Sequence, residues 1–94
     1  MRLVCLLFAV PGQEAALTSY EDRVLALLES RYGGAVLQRV ATVDGPAEVQ
    51  VLELPDEAAL EGFLADPDRL ALTEVRDACV ARTELYRVSD REVG

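Results

Sequence analysis

The sequence contains no histidine, no tryptophan and no lysine. Without histidine, the commonest general base and metal ligand at neutral pH is missing, so neither a Ser-His nor a Cys-His nucleophile can form. The two cysteines, Cys5 and Cys79, lie far apart and match no zinc or redox motif. No glycine-rich phosphate-binding loop is present, because Gly33-Gly34 is an isolated pair. We therefore expect a protein without a metal or a cofactor.

Charge and hydropathy restrict the partners of this 94-residue chain. Its formal net charge of −8 argues against binding to a phosphate backbone or to an anionic membrane. Apolar residues make up 51% of the chain, which is too many for disorder, and no apolar run approaches the roughly 20 residues that span a bilayer. Arginine without lysine, among many Ala, Val, Leu and Gly residues, is typical of a GC-rich bacterial genome. We expect a cytoplasmic bacterial protein that binds neither nucleic acid nor membrane.

The N-terminal stretch MRLVCLLFAVPG has two interpretations, a short secretory signal or a buried β-strand. As a signal it carries one positive charge, an apolar run close to the minimum length and no clear small-x-small cleavage site before Pro11. As a strand it ends at the turn signal Pro11-Gly12, and both of its faces are apolar. We expect a strand, because nothing else in the sequence supplies the first strand of the fold described next.

The first half of the chain predicts a helix followed by a hairpin. Residues 13–32 place apolar side chains at helical spacing, and Gly33-Gly34 supplies a left-handed stop. Residues 35–43 and 48–54 are rich in β-branched side chains. They flank Asp44-Gly45, which is a hairpin signal between two such runs.

The second half predicts two helical pieces and a final strand. Asp56 can cap a helix that begins directly after it, and the segment Asp66-Pro67-Asp68 interrupts that helix, with its two carboxylates interpreted as caps. Residues 69–78 resume the helical pattern, and residues 79–88 alternate as a strand.

The resulting order, β-α-β-β-α-β, predicts an α+β fold of the ferredoxin-like class. The segments PGQEAALTSY and PDEAALEGF both follow a strand and enter a helix, which indicates an internal duplication and places Tyr20 opposite Phe63. With right-handed crossovers the four strands form an antiparallel sheet in the order fourth-first-third-second, with the helices on one face. We expect one domain over residues 1–88 and a polar tail over residues 89–94.

The first strand is apolar on both faces, although the helices cover only one face of the sheet. The alternating sets are Val4, Leu6 and Phe8 on one side and Leu3, Cys5 and Leu7 on the other. A sheet with one face in water would not need both sets. We expect a second copy of the chain to cover the other face, which makes the protein a homodimer.

Three segments of the chain resemble the dimeric α+β-barrel superfamily: RYGGAVLQRV, VLELPDEAALEGFLADP and RDACVARTELYRV. Within it, the chain is similar to a short uncharacterised family and to the antibiotic-biosynthesis monooxygenases, over about residues 2–88. The uncharacterised family has a Tyr on the first helix, Tyr-Gly-Gly at its end, an apolar-Pro pair before the second helix and an Arg near that helix's end. The matching residues are Tyr20, Tyr32-Gly33-Gly34, Leu54-Pro55 and Arg76.

This resemblance implies a homodimeric α+β barrel with a pocket for a small apolar or aromatic ligand between sheet and helices. The monooxygenases of the group oxidise polycyclic aromatic substrates without metal or flavin, and other relatives cyclise polyketides. Phe63 stands where the monooxygenase-like pattern often carries a histidine. Two functions stay open: a cofactor-free monooxygenase or cyclase of bacterial specialised metabolism, and a non-catalytic dimer that binds a ligand or assists a partner enzyme.

Three residues are candidate catalytic groups: Tyr20, Arg39 and Arg76. In a dry pocket they would polarise a carbonyl or a phenolate. Each also has a structural interpretation. Tyr20 suits a helix core position, Arg39 an ion pair with Glu53 on the neighbouring strand, and Arg76 the negative end of a helix dipole.

Four further residues are candidate ligand-binding groups: Phe63, Tyr86, Arg82 and Glu53. Arg82, Glu84 and Tyr86 alternate on one face of the last strand, where they would line a polar part of the dimer barrel. The alternative is a solvated Arg82-Glu84 pair on an edge strand.

Overall fold

The computed structural model describes residues 1–91 and confirms the ferredoxin-like arrangement. The elements are β1 (Arg2–Ala9), α1 (Glu14–Arg31), β2 (Ala35–Ala41), β3 (Ala47–Glu53), α2 (Glu57–Leu64), α3 (Pro67–Leu70), α4 (Thr73–Cys79) and β4 (Val80–Val88). The N-terminal stretch is therefore a strand, as predicted. Of the predicted tail over residues 89–94, the last three residues lie outside the described part of the chain, and the domain boundary stays a prediction.

The four strands form one antiparallel sheet in the order β2-β3-β1-β4, which confirms the predicted topology. β1 lies in the middle and pairs with β3 on one side and β4 on the other. A register shift between Val36 and Gln38 places a bulge in β2. The hairpin strands are displaced from the prediction, because β2 ends at Ala41 and β3 already begins at Ala47.

Two glycines end α1 for different reasons. Gly33 has a φ of +65°, so it provides the left-handed turn that the sequence predicts. Gly34 does not adopt a positive φ; instead, a Cβ on Gly34 would lie 2.2 Å from Cδ2 of the fully buried Leu28. The second glycine is therefore required by close packing against α1, and Gly33 is the member of the pair that supplies the predicted left-handed stop.

The second helical region begins as predicted and then divides. The Asp56 carboxylate accepts a hydrogen bond from the backbone N–H of Ala59, and the Asp66 carboxylate accepts from those of Asp68 and Arg69. The single helical piece predicted over residues 69–78 is instead two helices, α3 and α4, which join at residues 71–72. β4 starts one residue later than expected, at Val80.

The helices cover one face of the sheet and form the core with it. The buried apolar side chains of this core are Leu3, Cys5, Leu7, Ala9, Leu17, Tyr20, Val24, Leu25, Leu28, Leu52, Leu54, Leu60, Phe63 and Cys79. Both cysteines are buried free thiols, and burial raises the pKa of Cys5 to about 12.

The opposite face of the sheet, called the open face below, carries mostly apolar side chains and no helix. Because directly paired residues point to the same side, the register assigns to it Val40, Val49, Val51, Val4, Leu6, Phe8 and Tyr86. The molecule measures only 17 Å in its shortest dimension, as expected for one sheet and one helical layer. None of the helices in residues 1–91 is both long and apolar enough to cross a membrane.

Candidate functional site

A cavity of about 80 Å³ lies between the sheet and the helices. Apolar side chains from both the sheet and the helices make most of its wall. They include Leu3, Leu28, Leu52, Leu60, Phe63 and Leu85. The polar side chains that reach it are Tyr20, Glu21, Gln50, Arg69, Arg76 and Thr83. A mostly apolar wall with a few polar groups is typical of a small-molecule site.

The size of the cavity restricts its ligand. Its volume is several times the roughly 10–15 Å³ that one water molecule requires. Pockets for drug-sized ligands measure about 300–1,000 Å³. In this structure the cavity is therefore too small for the polycyclic substrate that the resemblance implies, and it suits a single ring or less.

Tyr20 and Phe63 both line the cavity, from α1 and α2 respectively, in agreement with the duplicated segments that align them. Tyr20 is buried, and its burial raises the pKa of the phenol. The Phe63 ring makes an edge contact with Tyr32 at 6.1 Å between centroids. The Arg69 guanidinium lies 5.2 Å from the centre of the Phe63 ring. Phe63 thus forms part of the apolar wall and its ring contacts the Arg69 guanidinium, whereas Tyr20 is a hydroxyl-bearing residue of the cavity.

Two arginines reach the cavity without a strong ion pair inside the protein. Among residues 1–91, the one carboxylate within ion-pair distance of Arg76, on α4, is that of Asp77, its neighbour in sequence, 3.7 Å away. Arg69, on α3, donates from Nη1 to the Leu64 carbonyl oxygen, and its buried Nε has no hydrogen-bond partner among residues 1–91. The cavity therefore has two guanidinium groups that no contact ion pair from across the cavity holds among residues 1–91.

Asp66 holds α3 against the end of α1. It is buried, and its carboxylate accepts hydrogen bonds from the Tyr32 hydroxyl and from Arg31, in addition to the capping N–H groups. These bonds, the Tyr32 hydroxyl first, lower the pKa of Asp66 to about 2. The cluster fixes the helix that carries Arg69.

A buried carboxyl group, Glu21, reaches the cavity from α1 next to Tyr20. Gln50 of β3 donates from Nε2 to Glu21 at 2.8 Å and to Glu48 at 2.7 Å. Burial, followed by the nearby charge of Glu48, raises the pKa of Glu21, although the hydrogen bond from Gln50 opposes this. Glu21 therefore exchanges protons closer to neutral pH than an exposed glutamate does.

Arg39 does not line the cavity. It binds both carboxylate oxygens of Glu48, at 2.9 and 3.1 Å, and a second acid, Asp22. The ion pair predicted for Arg39 is present, but the predicted partner is wrong. Glu53 lies on the other side of the sheet, where it pairs with Arg2. The Glu48 bond is the main cause that raises the pKa of Arg39, so its role here is to neutralise and hold Glu48.

Arg82, Glu84 and Tyr86 share a face of β4, as predicted, and that face is the open face. The Arg82 guanidinium lies 4.1 Å above the Phe8 ring and 2.8 Å from Glu84, and the Tyr86 hydroxyl donates to Glu84. None of the three lines the cavity. The structure thus brings Tyr20, Phe63 and Arg76 together and places Arg39, Glu53, Arg82 and Tyr86 elsewhere.

The sequence prediction omitted four polar residues of the cavity: Glu21, Gln50, Arg69 and Thr83. A signal was present for two of them. Glu21 falls on the same helical stripe as Leu17, Val24 and Leu28, and Gln50 alternates with Leu52 and Leu54 on the buried side of β3. A polar residue at an inward position is the pattern that indicates a site.

No metal-binding group of three or more acidic or thiol side chains exists among residues 1–91. No family model matches the chain, and no curated protein matches it. Several solved structures, in contrast, are similar to the chain.

A proposed antibiotic biosynthesis monooxygenase from Bacteroides thetaiotaomicron is 24% identical to this chain, with a TM-score of 0.75 over all of this chain and 91% of its own. SnoaB, a cofactor-independent oxygenase from Streptomyces nogalater, is 19% identical, with a TM-score of 0.73 over 96% of this chain and 93% of its own. An uncharacterised NIPSNAP domain protein from Burkholderia xenovorans is 14% identical, with a TM-score of 0.75 over 97% and 95%. The chain has the fold of these proteins. At such identities the comparison establishes the fold alone, and the fold is the one that the sequence resemblance implies.

Proposed function

We propose that the protein is a cytoplasmic homodimer of bacterial specialised metabolism, and that it is a cofactor-independent oxygenase or cyclase for a small, largely apolar molecule. One observation carries the proposal: a mostly apolar cavity holds a phenol, a carboxyl group and two arginines at one point between sheet and helices. A mostly apolar wall lowers the local dielectric constant, which strengthens the interaction of these groups with negative charge on a reacting oxygen.

The chemistry of such an oxygenase needs no external reductant. A CH₂ group next to a carbonyl loses a proton, the carbanion reacts with O₂, and the products are a second carbonyl and one water molecule. Both electrons that reduce the second oxygen atom come from the two C–H bonds of the substrate. Tyr20 and Arg76 would hold the developing negative charge on the substrate oxygen. The similarity in fold to a cofactor-independent oxygenase supports this assignment.

The second part of the proposal is that two copies of the chain pack open face to open face. Most of the side chains there are apolar, and Tyr86 and Val40 are each about half exposed in the single chain, at 51% and 47%. An uncovered apolar sheet face of this extent is typical of a protein interface. A second copy fits because small chains bury too little surface alone.

Light scattering after size exclusion tests the dimer. The expected mass is twice the 10.2 kDa of one chain. Val51→Lys, in the middle of the open face, should give the monomer mass. Leu70→Lys is the control for the added lysine, since Leu70 is an exposed apolar residue on α3, away from the open face. A monomeric wild type contradicts this part of the proposal.

Oxygen uptake by the purified protein tests the reaction, with 1,3-cyclohexanedione as a single-ring carbon acid and anthrone as a three-ring one. We expect uptake with the smaller probe, reduced by Tyr20→Phe and by Arg76→Gln. Arg23→Gln is the control, because Arg23 is an exposed arginine of α1 away from the cavity. Binding of the probes without uptake or product would favour the non-catalytic ligand-binding dimer.

A further inference from the structure

We propose that Glu21 is the proton acceptor of the cavity, that Gln50 positions it, and that the ligand is a carbonyl compound with an acidic C–H bond beside the carbonyl. This inference rests on the proposed function in one respect, namely that the substrate occupies the cavity. It adds the group that accepts the proton and the residue that positions this group.

The geometry leaves one oxygen of Glu21 available. Glu21 is 5% exposed and lines the cavity. Its Oε1 accepts the hydrogen bond from Gln50, and its Oε2 has no hydrogen-bond partner among residues 1–91. No arginine of the described chain forms a salt bridge with Glu21, so its proton affinity is not reduced by a contact ion pair.

A chain of buried contacts fixes the orientation of Glu21. The two N–H bonds of the Gln50 amide are directed at Glu21 and Glu48, and Gln50 is 1% exposed. Glu48 in turn is held through both oxygens by Arg39. Arg39, a candidate catalytic residue from the sequence, thus affects Glu21 only indirectly. Arg39 binds Glu48, and Glu48 accepts one hydrogen bond from the Gln50 amide, which donates the other to Glu21.

Several charged and titratable groups face Glu21 from the surrounding elements. Burial and Glu48 of β3 raise its pKa, whereas Gln50, Arg39 of β2 and Arg69 of α3 lower it. The remaining titratable neighbours are Cys5 of β1, Cys79 of α4 and, on the same helix, Tyr20. Glu48 is already bound by Arg39 and Gln50, so Glu21 is the carboxylate of this cluster that is left to take a proton from a ligand.

The step balances without a co-reactant. The C–H bond beside the carbonyl breaks, the proton passes to Oε2 of Glu21, and the electron pair moves to the carbonyl oxygen to give an enolate. Tyr20, Arg69 and Arg76 line the same cavity and would stabilise that oxygen. In D₂O, Glu21 exchanges its proton with solvent and returns a deuteron, which forms a C–D bond.

Hydrogen–deuterium exchange in the absence of oxygen is therefore the test. The probes are acetone and cyclohexanone, which are small and whose α-protons exchange slowly with solvent in the absence of protein. Each is incubated with the protein in D₂O, and loss of the α-proton signal is followed by ¹H NMR. We expect Glu21→Gln to lower the protein-dependent rate about 100-fold or more, as for other general bases. Glu29→Gln, an exposed glutamate of the same helix, should leave the rate unchanged.

Gln50→Leu separates positioning from a structural effect. Because the hydrogen bond from Gln50 lowers the pKa of Glu21, its removal should move the acid limb of the exchange profile to higher pH. A uniform loss of rate at every pH would instead mean that Gln50 only stabilises the fold, and that would overturn its positioning role. Should Glu21→Gln fail to fold, Glu21→Asp keeps a carboxylate and should retain part of the exchange.

The outcomes distinguish this inference from the proposed function. Exchange that depends on Glu21, without oxygen uptake, supports the inference and refutes the oxygenase. Oxygen uptake that survives in Glu21→Gln supports the oxygenase and overturns the inference. Wild-type protein that exchanges neither probe also overturns it.

Discussion

Replacing Leu28 by alanine tests whether the cavity is part of the folded core. Leu28 is 0% exposed, lies in the middle of the helical layer and forms part of the cavity wall. The substitution removes three carbon atoms, at about 0.8 kcal/mol each for the loss of burial. The enlarged void adds a further cost of about 1 kcal/mol, since cavities cost about 24 cal/mol per Å³ and neighbours relax only in part. We expect a loss of about 3–4 kcal/mol in the free energy of unfolding.

Urea unfolding measures this loss. The protomer concentration is kept the same for both proteins, because the stability of any dimer depends on it. Leu37→Ala is the matched control: Leu37 is a half-exposed leucine of β2, and its truncation should change stability by about 0.5 kcal/mol or less. A loss in Leu28→Ala no larger than that of the control would refute the placement of Leu28 and of the cavity it lines.

Two further predictions concern the framework around the site. Asp66 has a folded pKa of about 2 against an ordinary value of 3.8, so its contribution to stability is complete above pH 3.8 and is lost as the pH falls through 2. As the pH falls between these values, the midpoint temperature of thermal unfolding should therefore decrease more steeply in the wild type than in Asp66→Asn. An equal dependence of this temperature on pH in the two proteins would contradict the hydrogen bonds assigned to Asp66. Gly34→Ala should destabilise by about 1–3 kcal/mol, because its Cβ meets the buried Leu28 side chain. Gly12→Ala meets no atom within 4 Å and carries only the strain of its positive φ, about 1–2 kcal/mol. Chemical denaturation measures both losses, and an unchanged stability in Gly34→Ala would be inconsistent with the packing.

The strand order was predictable because it follows from local patterns and general topology rules. β1 has two apolar faces and must lie in the middle of the sheet, and the crossover rule then fixes its neighbours. The division between α3 and α4 was not predictable in the same way, because Leu72, Val75 and Arg76 lie at helical spacing and continue the pattern through residues 71–72.

The site was predictable only where a side chain's role depends on its own element. Tyr20 and Phe63 were found because both lie on apolar helix stripes that must face the sheet. The partner of Arg39 depends on the register between β2 and β3 and on the bulge at residues 36–38, which no local pattern specifies. The position of Glu21 on the apolar stripe of α1 was visible in the sequence, but the hydrogen bond that Gln50 donates to it depends on how α1 packs against β3.

The most direct test of the account is where a small ligand binds. Intermolecular nuclear Overhauser effects are measured between cyclohexanone and the assigned methyl groups of the protein. We predict contacts with the methyls of Leu28 and Leu85, which line the cavity, and none with those of Val49 and Val51 on the open face. Contacts confined to Val49 and Val51 would place the ligand on the other side of the sheet and contradict the account.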